Sequence, residues 1–172
     1  MPTTTIEHTM RRLDIATGQR FDDFIAAFVD AVPDFDEARM RRIAEQNGSW
    51  DDASRAVAEN APNEFVLFGV IDARPLMSVA GNKRPAIEYL MGNHTIAERM
   101  YRHHPDTLLY APLRVLIYGS DEGEAVFAID QPSTVFAGLG IPEVAAVGHE
   151  LDQKLVALLE LLRVEVPSSL RA

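Results

Sequence analysis

The chain has 172 residues, 47% of them hydrophobic and 24% charged, which favours one compact globular domain over residues 1–172 and excludes a wholly disordered or fibrous protein. Its 26 acidic and 16 basic residues give a formal net charge of -10, so we expect no nucleic acid partner, because an acidic surface repels phosphates. The lack of cysteine excludes disulfides, thiolate nucleophiles and cysteine-ligated metals.

The N-terminal segment MPTTTIEHTMRRLD has no apolar stretch of the signal-peptide type. No run in the chain approaches the roughly 20 apolar residues that a membrane span requires. These two observations predict a soluble, cytoplasmic protein without a membrane partner.

The first third of the chain predicts one strand and three helices. Loose alternation over Thr3–Asp14 indicates a strand, and Thr17 is placed to cap a helix that carries apolar residues from Phe21 to Val32. Residues 34–63 are polar and predict an inserted pair of short surface helices, the second capped by Ser49. In this segment Trp50 is expected to anchor the insertion to the body.

The middle of the chain predicts the sheet. The run FVLFGVI, Phe65–Ile71, is rich in aromatic and β-branched residues and indicates a central strand. Leu76–Ala80 and Ala86–Met91 are expected to follow as further strands. Two more β-rich runs, Leu113–Tyr118 and Ala125–Ile129, flank a polar loop with glycine and predict a hairpin.

Three helices complete the prediction. Thr95–Arg102 has an apolar stripe and Asn93 at its N-cap, and Ser133 is placed to cap a short helix. A long amphipathic helix runs from Pro142 to about Arg163, followed by a tail expected to fray. These elements predict an α+β fold of two layers, an antiparallel or mixed sheet with helices packed on one face. The other face is left to water, the polar insertion or a second subunit.

Several consecutive blocks carry a family resemblance. They are YLMGNHTIAERMYRHHP, LYAPLRVLIYGSDEG, FAIDQPS and IPEVAAVGHELDQKL, which together span residues 86–162. The chain resembles the domain of unknown function 302 family in its longer bacterial variant. The resemblance implies a compact two-layer α+β fold, commonly a homodimer, with no established reaction. This chain has His94 where the family pattern has proline.

A candidate ligand site is formed by polar and aromatic side chains of this core, namely Tyr89, Asn93, Arg99, Tyr110, Arg114 and Tyr118, beside Asp130. Strand alternation places Arg114 and Tyr118 on one face, where Arg114 could hold an anionic group through paired hydrogen bonds. Alternatively, Arg114 forms an ion pair with Asp130. The first hypothesis is therefore a binding or homodimeric interaction domain for a small anionic or aromatic ligand, without a cofactor.

Histidines supply two alternatives. His94 and His103 could perform acid–base catalysis with Asp130 as the orienting group, because imidazole titrates near neutral pH, although no nucleophile accompanies them. A histidine-ligated metal or haem site is the other alternative. Because His94 and His103 are nine residues apart, they do not share a helical face, and a metal site would need a further ligand such as Asp130 or His149.

Overall fold

A five-stranded antiparallel sheet forms one layer of the protein in the computed structural model, which describes residue 3 and residues 5–171. The strands are β1 (Arg12–Arg20), β2 (Val66–Asp72), β3 (Ala86–Gly92), β4 (Leu113–Gly119) and β5 (Glu124–Asp130), in the order β1-β5-β4-β3-β2. The predicted hairpin is β4 and β5, in which Val115 pairs with Ile129. The first strand begins only at Arg12, so its predicted start at Thr3 was wrong.

The helices are α1 (Phe21–Ala31), α2 (Glu37–Glu45), α3 (Trp50–Asn60), α4 (Arg74–Val79), α5 (His94–Tyr101), α6 (Pro132–Ala137) and α7 (Pro142–Leu161). Short 3-10 helices lie at Pro105–Leu109 and Ser168–Leu170. The two polar helices predicted between residues 34 and 63 are α2 and α3. The predicted strand at Leu76–Ala80 was wrong, because most of this segment lies in α4. This helix has proline in its first turn and lies in the connection between β2 and β3.

The core lies between one face of the sheet and the helices. Along β4 the burial alternates, with Val115 and Ile117 buried and Arg114 and Leu116 exposed. Helix α1 places Phe28 against Tyr89, with ring centroids 5.0 Å apart, and α7 buries leucines along its inner side. The two-layer α+β architecture with helices on one face is therefore confirmed.

The strand β2 lies at an edge of the sheet, so the prediction of a central strand was wrong. Its first residues, Val66 and Leu67, are buried, and Leu67 also pairs with the segment at Asp34. Val70 and Ile71 are instead about half exposed. The apolar composition of this run reflects burial at one end and does not report its position in the sheet.

Three local predictions at helix ends and anchors were wrong. Thr17 lies within β1, where its hydroxyl donates to the carbonyl of Ala125 at 2.7 Å, and α1 begins without a side-chain cap. Ser133 lies inside α6 and not before it. Trp50 has 52% of its surface exposed and does not anchor the insertion. The cap at Ser49 is confirmed, because Ser49 and Asp52 form a reciprocal capping box.

The C-terminal segment packs onto the body. Leu170 is buried in the core, so the prediction of a frayed tail was wrong for residues 167–171.

Gly148 allows α6 and α7 to approach closely, because a Cβ at this position would lie 3.1 Å from the Cα of Ser133. Over residues 5–171, no helix has both the length and the hydrophobicity required to cross a membrane.

Candidate functional site

A cavity of about 120 Å³ opens beside the first turns of α5. Apart from Asn93 and His94, its lining is apolar and includes Phe68, Ile96, Met100, Pro112, Leu113 and Phe136. Among the residues that the structure describes, no carboxylate, lysine or arginine lines it. These walls come from β2, the end of β3, α5, the start of β4, α6 and α7, so the cavity lies where the end of the sheet meets the helical layer.

The turn between β3 and α5 places the two polar residues of the cavity. Gly92 ends β3 at a position where a Cβ would lie 3.2 Å from the Phe68 ring and 3.3 Å from Pro112, so a larger residue would crowd this wall. Asn93 then adopts an extended backbone conformation and caps α5, as predicted. His94 is consequently the first residue of the helix.

The side chain of Asn93 is fully engaged within the protein. Its Oδ1 accepts hydrogen bonds from the Thr95 amide at 2.9 Å and the Thr95 hydroxyl at 2.7 Å. Its Nδ2 donates to the carbonyl of Glu64 at 2.9 Å. Because these groups already have partners, Asn93 shapes the site and leaves His94 as the polar side chain of the lining that can contact a ligand.

The ring of His94 belongs to an aromatic cluster with Phe35 and Phe68. Its centroid lies 4.6 Å from that of Phe35 and 4.8 Å from that of Phe68, which are 4.9 Å from each other. His94 remains exposed overall, but this packing removes part of its hydration and lowers its pKa below the ordinary imidazole value. Among the described residues, none forms a hydrogen bond with this ring, so its nitrogens are available.

A second cleft, of about 210 Å³, brings together Tyr110, Arg114 and Asp130. The Tyr110 hydroxyl lies 2.9 Å from Nε2 of His8. Asp130 pairs with Arg12 at 2.6 Å, whereas Arg114 approaches Glu88 at 3.4 Å and has 80% of its side chain exposed. The alternative in which Arg114 pairs with Asp130 was therefore wrong, because the neighbouring strand β1 supplies the partner of this carboxylate.

The remaining predicted site residues are dispersed. Tyr89 is buried in the core, where desolvation raises its pKa, so it does not lie on the open face of the sheet. Tyr118 lies on the open face, as does Arg114. Arg99 forms an ion pair with Glu150 at 2.8 Å. The ammonium group of Lys154 lies 3.6 Å from the same carboxylate.

The histidines are also separated. His94 begins α5, and His103 follows its end; nine helical residues span about 13 Å. Asp130, their expected orienting group, lies in the second cleft and is paired with Arg12. Within the part of the chain that the structure describes, no three histidine or acidic side chains converge to hold a metal ion.

Three functional candidates were missed by sequence reasoning, namely Phe35, Phe68 and His8. Phe68 lies in a recognised strand, so alternation could have indicated that its face differs from that of Leu67. Phe35 follows Pro33 in an irregular segment, and His8 precedes β1, so neither carries a periodic signal. Both contacts join segments far apart in the chain.

Comparison with known proteins supports the fold and the family. No protein with a curated description matches the chain. A crystal structure of an uncharacterized conserved protein DUF302 from Bacillus stearothermophilus superposes with a TM-score of 0.60 over 90% of this chain and 98% of the other, at 12% identity, a likeness of fold alone. The family model for the domain of unknown function DUF302 matches residues 43–162, well over half of the sequence. The chain therefore belongs to the DUF302 family.

Proposed function

We propose that the protein binds a small, mainly apolar molecule in the cavity beside His94. The observation that carries this proposal is an apolar cavity of about 120 Å³ with one available polar side chain at its edge. An apolar protein cavity of about 150 Å³ accommodates benzene, so the space suits a compact ligand. A concave apolar site with few polar groups is also the usual form of a small-molecule site.

Binding is favoured over acid–base catalysis because His94 has no orienting carboxylate in the lining. Catalytic histidines are commonly held in one tautomer by such a partner. The second cleft is less favourable for an anion, because Arg12, Arg114, Glu88 and Asp130 nearly balance in charge there.

The test is a thermal-shift and ligand-observed NMR screen of small apolar and aromatic compounds. Ala97→Leu would fill part of the cavity, so we expect it to abolish binding while the protein remains folded. Ala146→Leu is the matched control, because Ala146 is an exposed position of α7 outside the cavity lining. The proposal fails if no compound binds, or if both variants bind as the unmodified protein does.

A second proposal concerns the open face of the sheet, which suits a homodimer. Within the part of the chain that the structure describes, the buried Oε1 of Glu88 forms no hydrogen bond. Nε of Arg114 lies 3.4 Å from this oxygen, but 80% of the Arg114 side chain is in solvent. In a two-fold dimer, Arg114 of each copy could donate to Glu88 of the other, with the exposed Leu116 between them.

Sedimentation equilibrium tests the dimer. We expect the unmodified protein to sediment as a dimer and Leu116→Glu as a monomer, because each copy would bury an unpaired carboxylate. Val79→Glu is the control, because Val79 is 85% exposed on α4. A monomeric unmodified protein, or a dimer that persists in Leu116→Glu, contradicts the proposal.

A further inference from the structure

We infer that the ligand of the His94 cavity is an uncharged molecule of about one ring that carries a single hydrogen-bonding group, of the phenol type, contacted by His94. This inference rests on the proposed binding function and specifies the chemical class of the ligand. Three observations carry it, namely the volume of the cavity, the charge of its walls and the placement of its one available polar side chain.

The volume restricts the ligand to about one ring. The cavity measures about 120 Å³, somewhat less than the roughly 150 Å³ of a cavity that binds benzene. Its walls include Phe136 and Leu151 from the packed helices α6 and α7, which are held close by Gly148. Packed interiors resist expansion, so the part of a ligand that lies inside the cavity is limited to about one ring.

The charge of the walls restricts the ligand to a neutral molecule. Over residues 5–171, the lining contains no lysine, arginine, aspartate or glutamate. Burying an ion without a partner of opposite charge costs several kcal/mol or more. Imidazole could supply such a charge when protonated, but the packing of His94 against Phe35 and Phe68 opposes protonation. A carboxylate ligand would thus enter without a counterion.

The one available polar side chain selects a ligand with one polar group. Asn93 is occupied by Thr95 and Glu64, and the His94 ring has no hydrogen-bond partner among the described residues. Neutral imidazole has one donor and one acceptor nitrogen, so it can pair with a hydroxyl in either sense. A ligand with a second polar group would bury that group against apolar walls, at a cost of about 1–3 kcal/mol.

The position of the aromatic cluster supports the same class. The ring of Phe68 lines the cavity and meets His94 edge to face, with an angle of 80° between the two planes. Phe35, which is adjacent to Phe68, also packs against the imidazole, with the two rings tilted by 36°. A hydroxyl near His94 would therefore place the ligand ring among Phe68, Met100 and Phe136, where aromatic and sulfur contacts are favourable.

The test compares toluene, phenol and benzoate, three ligands of similar size, by isothermal titration calorimetry at pH 7.5. A cavity without a hydrogen-bond partner would favour toluene, because the phenol hydroxyl would lose its hydration. We expect the unmodified protein to bind phenol at least as tightly as toluene and to bind benzoate at least tenfold more weakly. In His94→Phe, which keeps a ring beside Phe35, the preference for phenol over toluene should fall at least tenfold.

Two controls keep the result interpretable. His103→Phe changes an exposed histidine outside the cavity and should leave the preference unchanged. His94→Leu repeats the test if His94→Phe does not fold. Three outcomes overturn the inference but leave the binding function standing. They are binding of toluene with rejection of phenol, equal binding of benzoate and phenol, and an unchanged preference for phenol over toluene in His94→Phe. Failure of all three compounds to bind the unmodified protein contradicts the binding function itself.

Discussion

The side-chain amide of Asn93 donates a 2.9 Å hydrogen bond to the backbone carbonyl of Glu64, 29 residues earlier in the chain. This bond joins the turn that starts α5 to the residue that precedes the buried start of β2. Glu64 has a positive φ of 71°, which is uncommon for a residue other than glycine or asparagine, and its carboxylate pairs with Lys154 of α7 at 2.9 Å. The turn that forms this wall of the cavity is therefore connected by hydrogen bonding and an ion pair to the segment before β2 and to α7.

Asn93→Ala should lower the free energy of unfolding by about 2–3 kcal/mol, because it removes both a helix cap and a part-buried hydrogen bond. Urea denaturation measures this change. Ser49→Ala is the control, since it removes a cap from the exposed start of α3 and should cost about 1 kcal/mol. An equal or smaller loss in Asn93→Ala would show that its bond to Glu64 contributes nothing.

Glu64→Gly should be more stable than Glu64→Ala by about 1 kcal/mol, because glycine adopts positive φ without a steric cost. Both variants lose the ion pair with Lys154, so their difference isolates the backbone conformation. The same two substitutions at Glu59, inside α3, should give the reverse order, since alanine is the better helix former. Denaturation of the four variants measures both differences. If alanine is the more stable residue at position 64 as well, the strain at Glu64 is absent.

Asp152→Ala should destabilise the protein by about 3–5 kcal/mol. The buried carboxylate accepts hydrogen bonds from the Ser133 amide at 2.9 Å, the Ser133 hydroxyl at 2.5 Å and Nε2 of Gln131 at 2.7 Å. Alanine leaves these donors unpaired in a buried place. Thermal and urea unfolding measure the loss. The neighbouring exposed Gln153→Ala should change stability by no more than about 0.5 kcal/mol, and a similar small effect at position 152 would contradict the argument.

The lowered pKa of His94 predicts a pH dependence of stability. The unfolded chain takes up a proton near pH 6.5, whereas folded His94 does so only at lower pH. The unfolded state therefore binds more protons between these two values, and stability should fall as the pH drops through this window. His94→Phe should show a smaller loss between pH 7 and pH 5, measured by urea denaturation at each pH. His103→Phe is the control, and an equal pH dependence in all three proteins contradicts the assignment.

Local patterns were sufficient for elements whose stabilising contacts are close in sequence. The hairpin of β4 and β5 has β-rich runs around a polar loop with glycine, and α5 has its cap at Asn93, adjacent to the helix. The alternation of Arg114 with Val115 correctly placed Arg114 and Tyr118 on the same face of the sheet. In each case the deciding interaction joins residues that are a few positions apart.

Local sequence patterns gave wrong predictions where the same pattern is compatible with two different structures. The run at β2 is equally apolar at an edge or in the centre of a sheet, and Leu76–Ala80 is too short for its period to separate strand from helix. Tyr89 could have been placed correctly, because it alternates with Ile87 and Met91 on the buried face of β3.

The family, the α+β class and the capped helix α5 followed from the amino-acid sequence alone. Only the tertiary structure decided that Asp130 pairs with Arg12 and that His94 packs against Phe35, 59 residues earlier. The physical reason is that helix caps and strand alternation depend on covalent neighbours, whereas the hydration and charge of a site depend on side chains that only folding brings together.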